Sequence, residues 1–514
     1  MKYCGLKNKI VLGARLSLED FIAVARFGAF VDFDDDYRKR VERSRELVDK
    51  WTADGKIMYG ITTGFGKLCS RVINEHQANE LQHNIITCHS TSVGEPYTVE
   101  QARAVMLMVL QNLGQGYAGV RLEILEKYRE FLNKSLTPWA PRDGSVGYLA
   151  PEAHMARVLE GNGKAYYKGE LMDGSDALKA AGIEPISLAS KEGLALVSGT
   201  TSATALAALA LYDMIKGAVS ADIVAALSFE ACKGQLDAIC EEVMSVRPHP
   251  DQANTARNLR NILAGSKAVA KAQGDHLQDA LSMRCIPQLH GAAKKTLYDA
   301  LVTLETEMNS CCDNPVIWPE EGAERAISAC NPDSSYIGIE MDSCAIAATD
   351  IAKMSERRNN HMIDENLSGY PSFLIKDAGL NSGLMIPQYT QAGLINDMRI
   401  LCWPGSVDNT PTCVNQEDYV AMGYNSAKKC IELAEKLEYV LAIELLSSYE
   451  TKGFVQGGTK RSPVSEKIYR LIAKKVPLME KDEFLYDYIE YIRDLIHSGR
   501  LADLVQKELD EELK

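Results

Sequence analysis

A chain of 514 residues is long enough for one large hydrophobic core or two fused ones. Hydrophobic residues make up 46% and charged residues 25%, the balance of a globular protein and not of a disordered or fibrous one. With 56 Lys and Arg against 70 Asp and Glu the net charge is −14, which repels phosphate backbones and argues against a nucleic-acid partner.

Residues 1–20 lack the continuous apolar stretch of a secretory signal. The apolar run from Ala205 to Tyr212 falls far short of the ~20 residues a membrane span needs, so no membrane partner is expected. Thirteen cysteines, an odd number with no Cys-x-x-Cys pair, predict reduced thiols in a cytoplasm and neither a disulfide framework nor a zinc site.

In chain order, a helix opens at Ser17, with Glu19 and Asp20 in its first turn where the helix dipole favours acids. A charged helix follows over 36–51, then the Gly- and Thr-rich loop Tyr59-Gly-Ile-Thr-Thr-Gly-Phe-Gly66. Shorter helices are expected over 75–90, 98–115 and 121–134. A tight loop with Gly144 and Gly147 leads to a helix start at Pro151, with Glu152 in its first turn. From Thr200 to Val246 the chain is Ala- and Leu-rich without a Pro, and reads as one long, bent helix ending before Pro248. Long helical patterns also occupy 288–308, 338–362, 383–402 and 416–451. A Gly-rich loop at Gly457 and Gly458 precedes further charged helices, and the final VQKELDEELK reads as a solvated helix end. β-branched alternation is rare, so the fold class is mainly α: a bundle of long central helices. The 203–212 stretch, apolar all round, must be buried on every side. An organisation into residues 1–199, carrying the loops, and 200–514, carrying the long helices, is expected.

Six separated segments bear on function. They are Tyr59-Gly-Ile-Thr-Thr-Gly-Phe-Gly-Lys67; Cys88-His89 with Val93-Gly-Glu-Pro96; Gly193-Leu-Ala-Leu-Val-Ser198-Gly-Thr200; Leu277-Gln278-Asp279-Ala-Leu281-Ser-Met-Arg284-Cys285; Asn309-Ser-Cys-Cys-Asp313-Asn314-Pro315; and Asn415-Gln-Glu417-Asp418. In this order, over essentially the whole chain, they resemble the histidine and aromatic amino acid ammonia-lyases. The resemblance implies the helical-bundle fold of that family and a homotetramer whose active sites draw on more than one subunit. It implies Tyr59 and Glu417 as catalytic residues, with His89, Arg284, Gln278, Asn314 and Ser198 binding substrate, and no metal. Arg284 is the carboxylate clamp, a fork suited to bidentate hydrogen bonding. His89 and Glu417 are the imidazole contacts, and Tyr59 is the base.

The departures are equally specific. The family loop reads Gly-Ser-Val-Gly, then Ala-Ser-Gly, which cyclises to an electrophilic methylidene-imidazolone; here Gly147 runs straight into Tyr148. Ser198 stands for an Asn, Leu281 for a Tyr and Pro332 for a Phe. All these positions serve the electrophile or the amine. A trimethylammonium group leaves as neutral trimethylamine and needs no electrophile. The departures therefore point to the ergothionase type of the family: elimination of trimethylamine from ergothioneine to give thiolurocanate, without a cofactor. The alternatives are a methylidene-imidazolone-dependent histidine ammonia-lyase, forming urocanate and ammonia, and a non-catalytic relative that binds imidazole betaines.

Overall fold

The computed structural model describes residue 3 and residues 5–73, 75–455 and 460–514, with 75 and 76 by backbone alone. Gly457 and Gly458 lie outside the described residues. The chain is mainly helical, as its patterning predicts. Its centre is the Thr201–Ala231 helix, buried along its whole length apart from Asp213. Around it pack Ile286–Met308, Ser335–Ile363 and Gly423–Glu450, with Met385–Leu401 against the last two. Glu192–Ala231 is long enough, and in its most apolar stretch hydrophobic enough, to cross a membrane, which the run at 205–212 alone does not suggest, and that stretch is wholly buried inside the protein. Its lack of a polar stripe is explained by neighbours on all sides.

Several buried charges in and beside this bundle are paired. Arg358 and Glu444, both fully buried, meet through two hydrogen bonds of 2.6 and 2.9 Å, and Ser228 donates to the same carboxylate at 2.7 Å. Lys191 and Asp313, equally buried, form an ion pair at 2.5 Å. Burying such charges singly costs several kcal/mol, so each pair is a fixed crossing point between helices or loops.

The elements before residue 200 are smaller. Helices Leu18–Ala25 and Asp35–Ala53 begin at Ser17 and Asp34, whose side chains accept the N–H of Asp20 and Tyr37. Glu75–His89, Val99–Leu113 and Leu122–Lys134 lie within two residues of their expected places. Among the described residues the strands are only three or four residues long and form four small sheets. One of these, Val93–Pro96 antiparallel to Pro141–Asp143, lays the segment after His89 beside the loop that leads to Tyr148.

Two helix boundaries differ from the patterning. The central helix ends at Ala231, well before Pro248, because Lys233 is left-handed (φ 58°) and Gly234 lets the chain fold back on Phe229. A Cβ at Gly234 would stand 2.4 Å from the Phe229 ring. The last long helix starts at Gly423, not at 416. The residues before it form a left-handed turn, and that turn carries Glu417.

Candidate active site

One cavity, of about 400 Å³, gathers most of the residues singled out by the motifs. Tyr59, His89, Ser198, Asn314 and Glu417 all line it, although they come from five separate segments. Tyr148, Phe65, Cys88, Pro332 and Cys413 line it too.

Each side chain is held by local structure. His89 ends the Glu75–His89 helix, and its Nδ1 lies 2.8 Å from the Ile85 carbonyl oxygen. That bond assigns the proton to Nδ1 and leaves Nε2 as an acceptor. Burial lowers the imidazole pKa below 6.5, so the neutral ring is favoured. Tyr59 stands at the head of the Gly-rich loop, and its hydroxyl accepts the Gly66 N–H at 2.8 Å. This donor favours the phenolate, but burial outweighs it and, with the Glu417 charge, pushes the phenol above 10. Lys67 points to solvent. The free site therefore holds Tyr59 protonated.

Ser198 follows the short Glu192–Val197 helix and is buried. Asn314 is fixed by its Oδ1, which accepts the Ala329 N–H at 2.9 Å. The Glu417 carboxylate accepts from the Thr412 hydroxyl at 3.0 Å. Tyr148 is presented by a clamped loop: the Ser145 hydroxyl donates to the Tyr148 carbonyl at 3.1 Å, and the Leu149 N–H donates to the Val197 carbonyl at 3.1 Å. Burial, followed by the nearby Glu417 charge, raises the Tyr148 phenol well above its ordinary value.

Gln278 and Arg284 are not brought to this cavity. Gln278 is exposed, and the half-buried Arg284 donates from Nε to the Asp279 carbonyl at 3.0 Å. Leu281 is 60% exposed and Leu277 fully so. Within one chain the cavity thus has groups for an imidazole and a proton but no clamp for a carboxylate. The motifs missed Thr412, Cys413, Phe65 and Cys88. Phe65 and Cys88 lie inside the motif segments without a type that marks them for chemistry, while Thr412 and Cys413 carry no signal in the residue pattern.

The pattern of the family described as aromatic amino acid lyase matches residues 16–474. The chain belongs to this family. It is 41% identical to histidine ammonia-lyase 1 of Fusobacterium nucleatum over 505 residues, covering 97% of this chain and 98% of that one. The structure of histidine ammonia-lyase from Trypanosoma cruzi superimposes with a TM-score of 0.91 at 34% identity, covering 97% and 95% of the two chains. Ergothionase from Treponema denticola superimposes with a TM-score of 0.89 at 26% identity, covering 96% and 99%. The chain therefore has the helical ammonia-lyase fold and is a carbon–nitrogen lyase.

These relatives correct two expectations. Ergothionase, at 26% identity against 41% for a histidine ammonia-lyase, is a distant neighbour, so elimination of trimethylamine from ergothioneine is overturned as the activity. The expectation of an enzyme without a cofactor, which rested on the missing Ala-Ser-Gly, is contradicted as well: histidine ammonia-lyases belong to a family that uses methylidene-imidazolone.

The residues of this chain were tested against that group. Ala-Ser-Gly occurs nowhere in the 514 residues. At the loop, Gly147 has φ 128° with Ser334 Oγ 2.2 Å from where a Cβ would stand, and Leu149 and Ala150 are left-handed at φ 65° and 61°. Tyr148, between them, faces the cavity. These residues do not fit the group, and no step below passes through it.

Proposed function

We propose that the chain removes ammonia from histidine to give urocanate. The observation that carries this reading is the convergence of neutral His89, the Glu417 carboxylate and the Tyr59 phenol on one cavity. The similarity to histidine ammonia-lyases supports the same substrate. Glu417 accepts one imidazole N–H, and the Nε2 lone pair of His89 offers a second acceptor to the ring. Polarising the ring draws electron density from the side chain and acidifies the β-carbon. Once the Tyr59 phenol has lost its own proton to solvent, its oxygen takes the β-proton, the electron pair of that C–H bond becomes the new C=C bond, and the Cα–N bond breaks as its pair leaves with nitrogen as ammonia. Ser198 and Asn314 line the wall that contacts the amino acid.

The carboxylate clamp is supplied by Gln278 and Arg284 of other copies in a homotetramer. What supports this is their position away from the cavity, with Gln278 and the neighbouring apolar Leu277 and Leu281 exposed. Elsewhere on the surface Tyr336, Ile339 and Ile346 form an exposed stripe on the Ser335–Ile363 helix, a second apolar face for contact between copies. The described cysteines are free thiols, which suits a cytoplasmic enzyme.

The test is incubation of the purified protein with L-histidine, with ammonia and urocanate measured together. Equal amounts of both are expected. Neither product from histidine would overturn the proposal.

A further inference from the structure

The turn that delivers Glu417 to the cavity is unusual. Cys413, Val414 and Asn415 are left-handed in succession, at φ 51°, 55° and 62°. For a residue with a Cβ this conformation costs about 1–2 kcal/mol, and a β-branched Val is among the least suited to it. Val414 is 84% exposed, so its burial does not offset that cost.

Thr412 ties the turn shut. Its N–H donates to the Glu417 carbonyl at 2.8 Å, its carbonyl accepts the Glu417 N–H at 3.4 Å, and its hydroxyl donates to Glu417 Oε2 at 3.0 Å. On the outer side, Cys413 Sγ lies 2.6 Å from where a Cβ on Gly66 would be. Gly66 is the residue whose N–H holds Tyr59. The turn that carries Glu417 and the loop that carries Tyr59 therefore press on each other. Tyr148, which lines the same cavity, lies close to the same carboxylate.

We propose that Thr412 is a positioning residue, which aims the Glu417 carboxylate at the imidazole of the bound amino acid while the nearby Tyr148 confines it. This rests on the histidine reading above and extends it to how the ring is recognised. A glutamate on a loop has several rotamers, and only one points its oxygens at a ring N–H. The Thr412 hydroxyl removes the others before substrate arrives, and a hydrogen bond to a charged group is strong enough to do so. Substrates with a phenyl ring have no N–H to offer and gain nothing from the arrangement.

The probe is imidazolepropionate, the histidine skeleton without its amine, so that binding is measured apart from turnover. Calorimetry on the parent, Thr412→Val, Thr412→Ser and Tyr148→Phe is paired with thermal midpoints. Thr412→Val is expected to bind about tenfold more weakly, the effect of losing one charged hydrogen bond. Thr412→Ser, which keeps the hydroxyl, should recover the parent affinity, and Tyr148→Phe should weaken binding severalfold. With histidine, Thr412→Val should raise KM more than it lowers kcat. Parent-like affinity in Thr412→Val overturns the inference. If Thr412→Val unfolds early, Thr412→Ser and Tyr148→Phe decide, because both leave the turn intact; loss of affinity in Thr412→Ser, or none in Tyr148→Phe, overturns it. A parent that binds the probe but releases no ammonia refutes the reaction and leaves this inference standing. A parent that binds no probe refutes both.

Discussion

Replacing Tyr59 with Phe removes one oxygen and keeps the ring that lines the cavity. Two effects follow from the geometry. The buried Gly66 N–H loses its acceptor at 2.8 Å, which costs the loop about 1–3 kcal/mol locally. The site also loses its base, and removal of a positioned general base lowers rate by about 10²- to 10⁴-fold, or about 3–5 kcal/mol of barrier. The two are separable. A loosened loop weakens binding and rate together, whereas a lost base lowers kcat and leaves the affinity for imidazolepropionate nearly unchanged. The pH profile gives an independent sign. The Tyr59 phenol lies above 10 in the free protein because of burial, so kcat/KM should climb with pH towards that value as the phenolate fraction grows. In Tyr59→Phe the climb should vanish. Full turnover in Tyr59→Phe, or an unchanged alkaline climb, would show that another group takes the proton.

Three further outcomes are expected. On the proposed homotetramer with shared sites, Arg284→Ala and Glu417→Gln chains, each inactive alone, should regain part of the activity when co-expressed, because mixed assemblies would contain some sites with both residues intact; activity measured on the co-purified protein checks this, and none would place Arg284 outside the site. Glu444→Gln leaves Arg358 buried without its counter-charge and should destabilise the bundle by about 3–5 kcal/mol in urea unfolding, with the unmutated cavity residues unaffected in the folded fraction. Burial holds His89 below 6.5, so the unfolded chain binds the proton first; as pH falls through 6.5 this group reduces stability, and once the folded ring is protonated its Nε2 can no longer accept from substrate, so the Kd of imidazolepropionate should rise on the acid side of 6.5.

The long helices were legible because their periodicity is strong and their ends carry Pro, Gly or polar caps. Two ends were not, for one shared reason: left-handed residues without glycine. Lys233 stops the central helix, and the run from Cys413 to Asn415 delays the last one, yet neither carries a side chain that announces the conformation. The same blindness hid Thr412, an ordinary threonine until the turn folds back on Glu417. Tyr59, His89, Ser198, Asn314 and Glu417 were legible as a set because each sits in a segment of the family pattern, although five sequence positions cannot say that they share a cavity. The substrate was misread from the departures at Tyr148, Ser198 and Leu281. Loss of one chemical device was taken to identify a leaving group, whereas similarity over nearly the whole chain bears on the shape and polarity of the entire pocket. Leu281 illustrates the weakness of that step, since its side chain is outside the cavity of its own chain.

The protonated state of Tyr59 sets a condition on any substrate. Bringing a phenol from above 10 to near neutrality takes at least 3 pKa units, about 4 kcal/mol. An ammonium about 4 Å from the phenol oxygen supplies about 4 kcal/mol at an effective dielectric of 20, and only about 1 kcal/mol if water fills the gap. The substrate's own amine is therefore sufficient to activate the base only in a site closed to water, which on the proposed assembly the segment carrying Gln278 and Arg284 of another copy would help to provide. Phenolate absorbance can test this directly. Titrated in the assembled protein, Tyr59 should ionise at lower pH with histidine bound than with imidazolepropionate, by about 3 units, and the difference should disappear in Tyr59→Phe. Equal ionisation with the two ligands would mean that the amine does not lie near the phenol, and the base would then have to be activated by a charge on the protein.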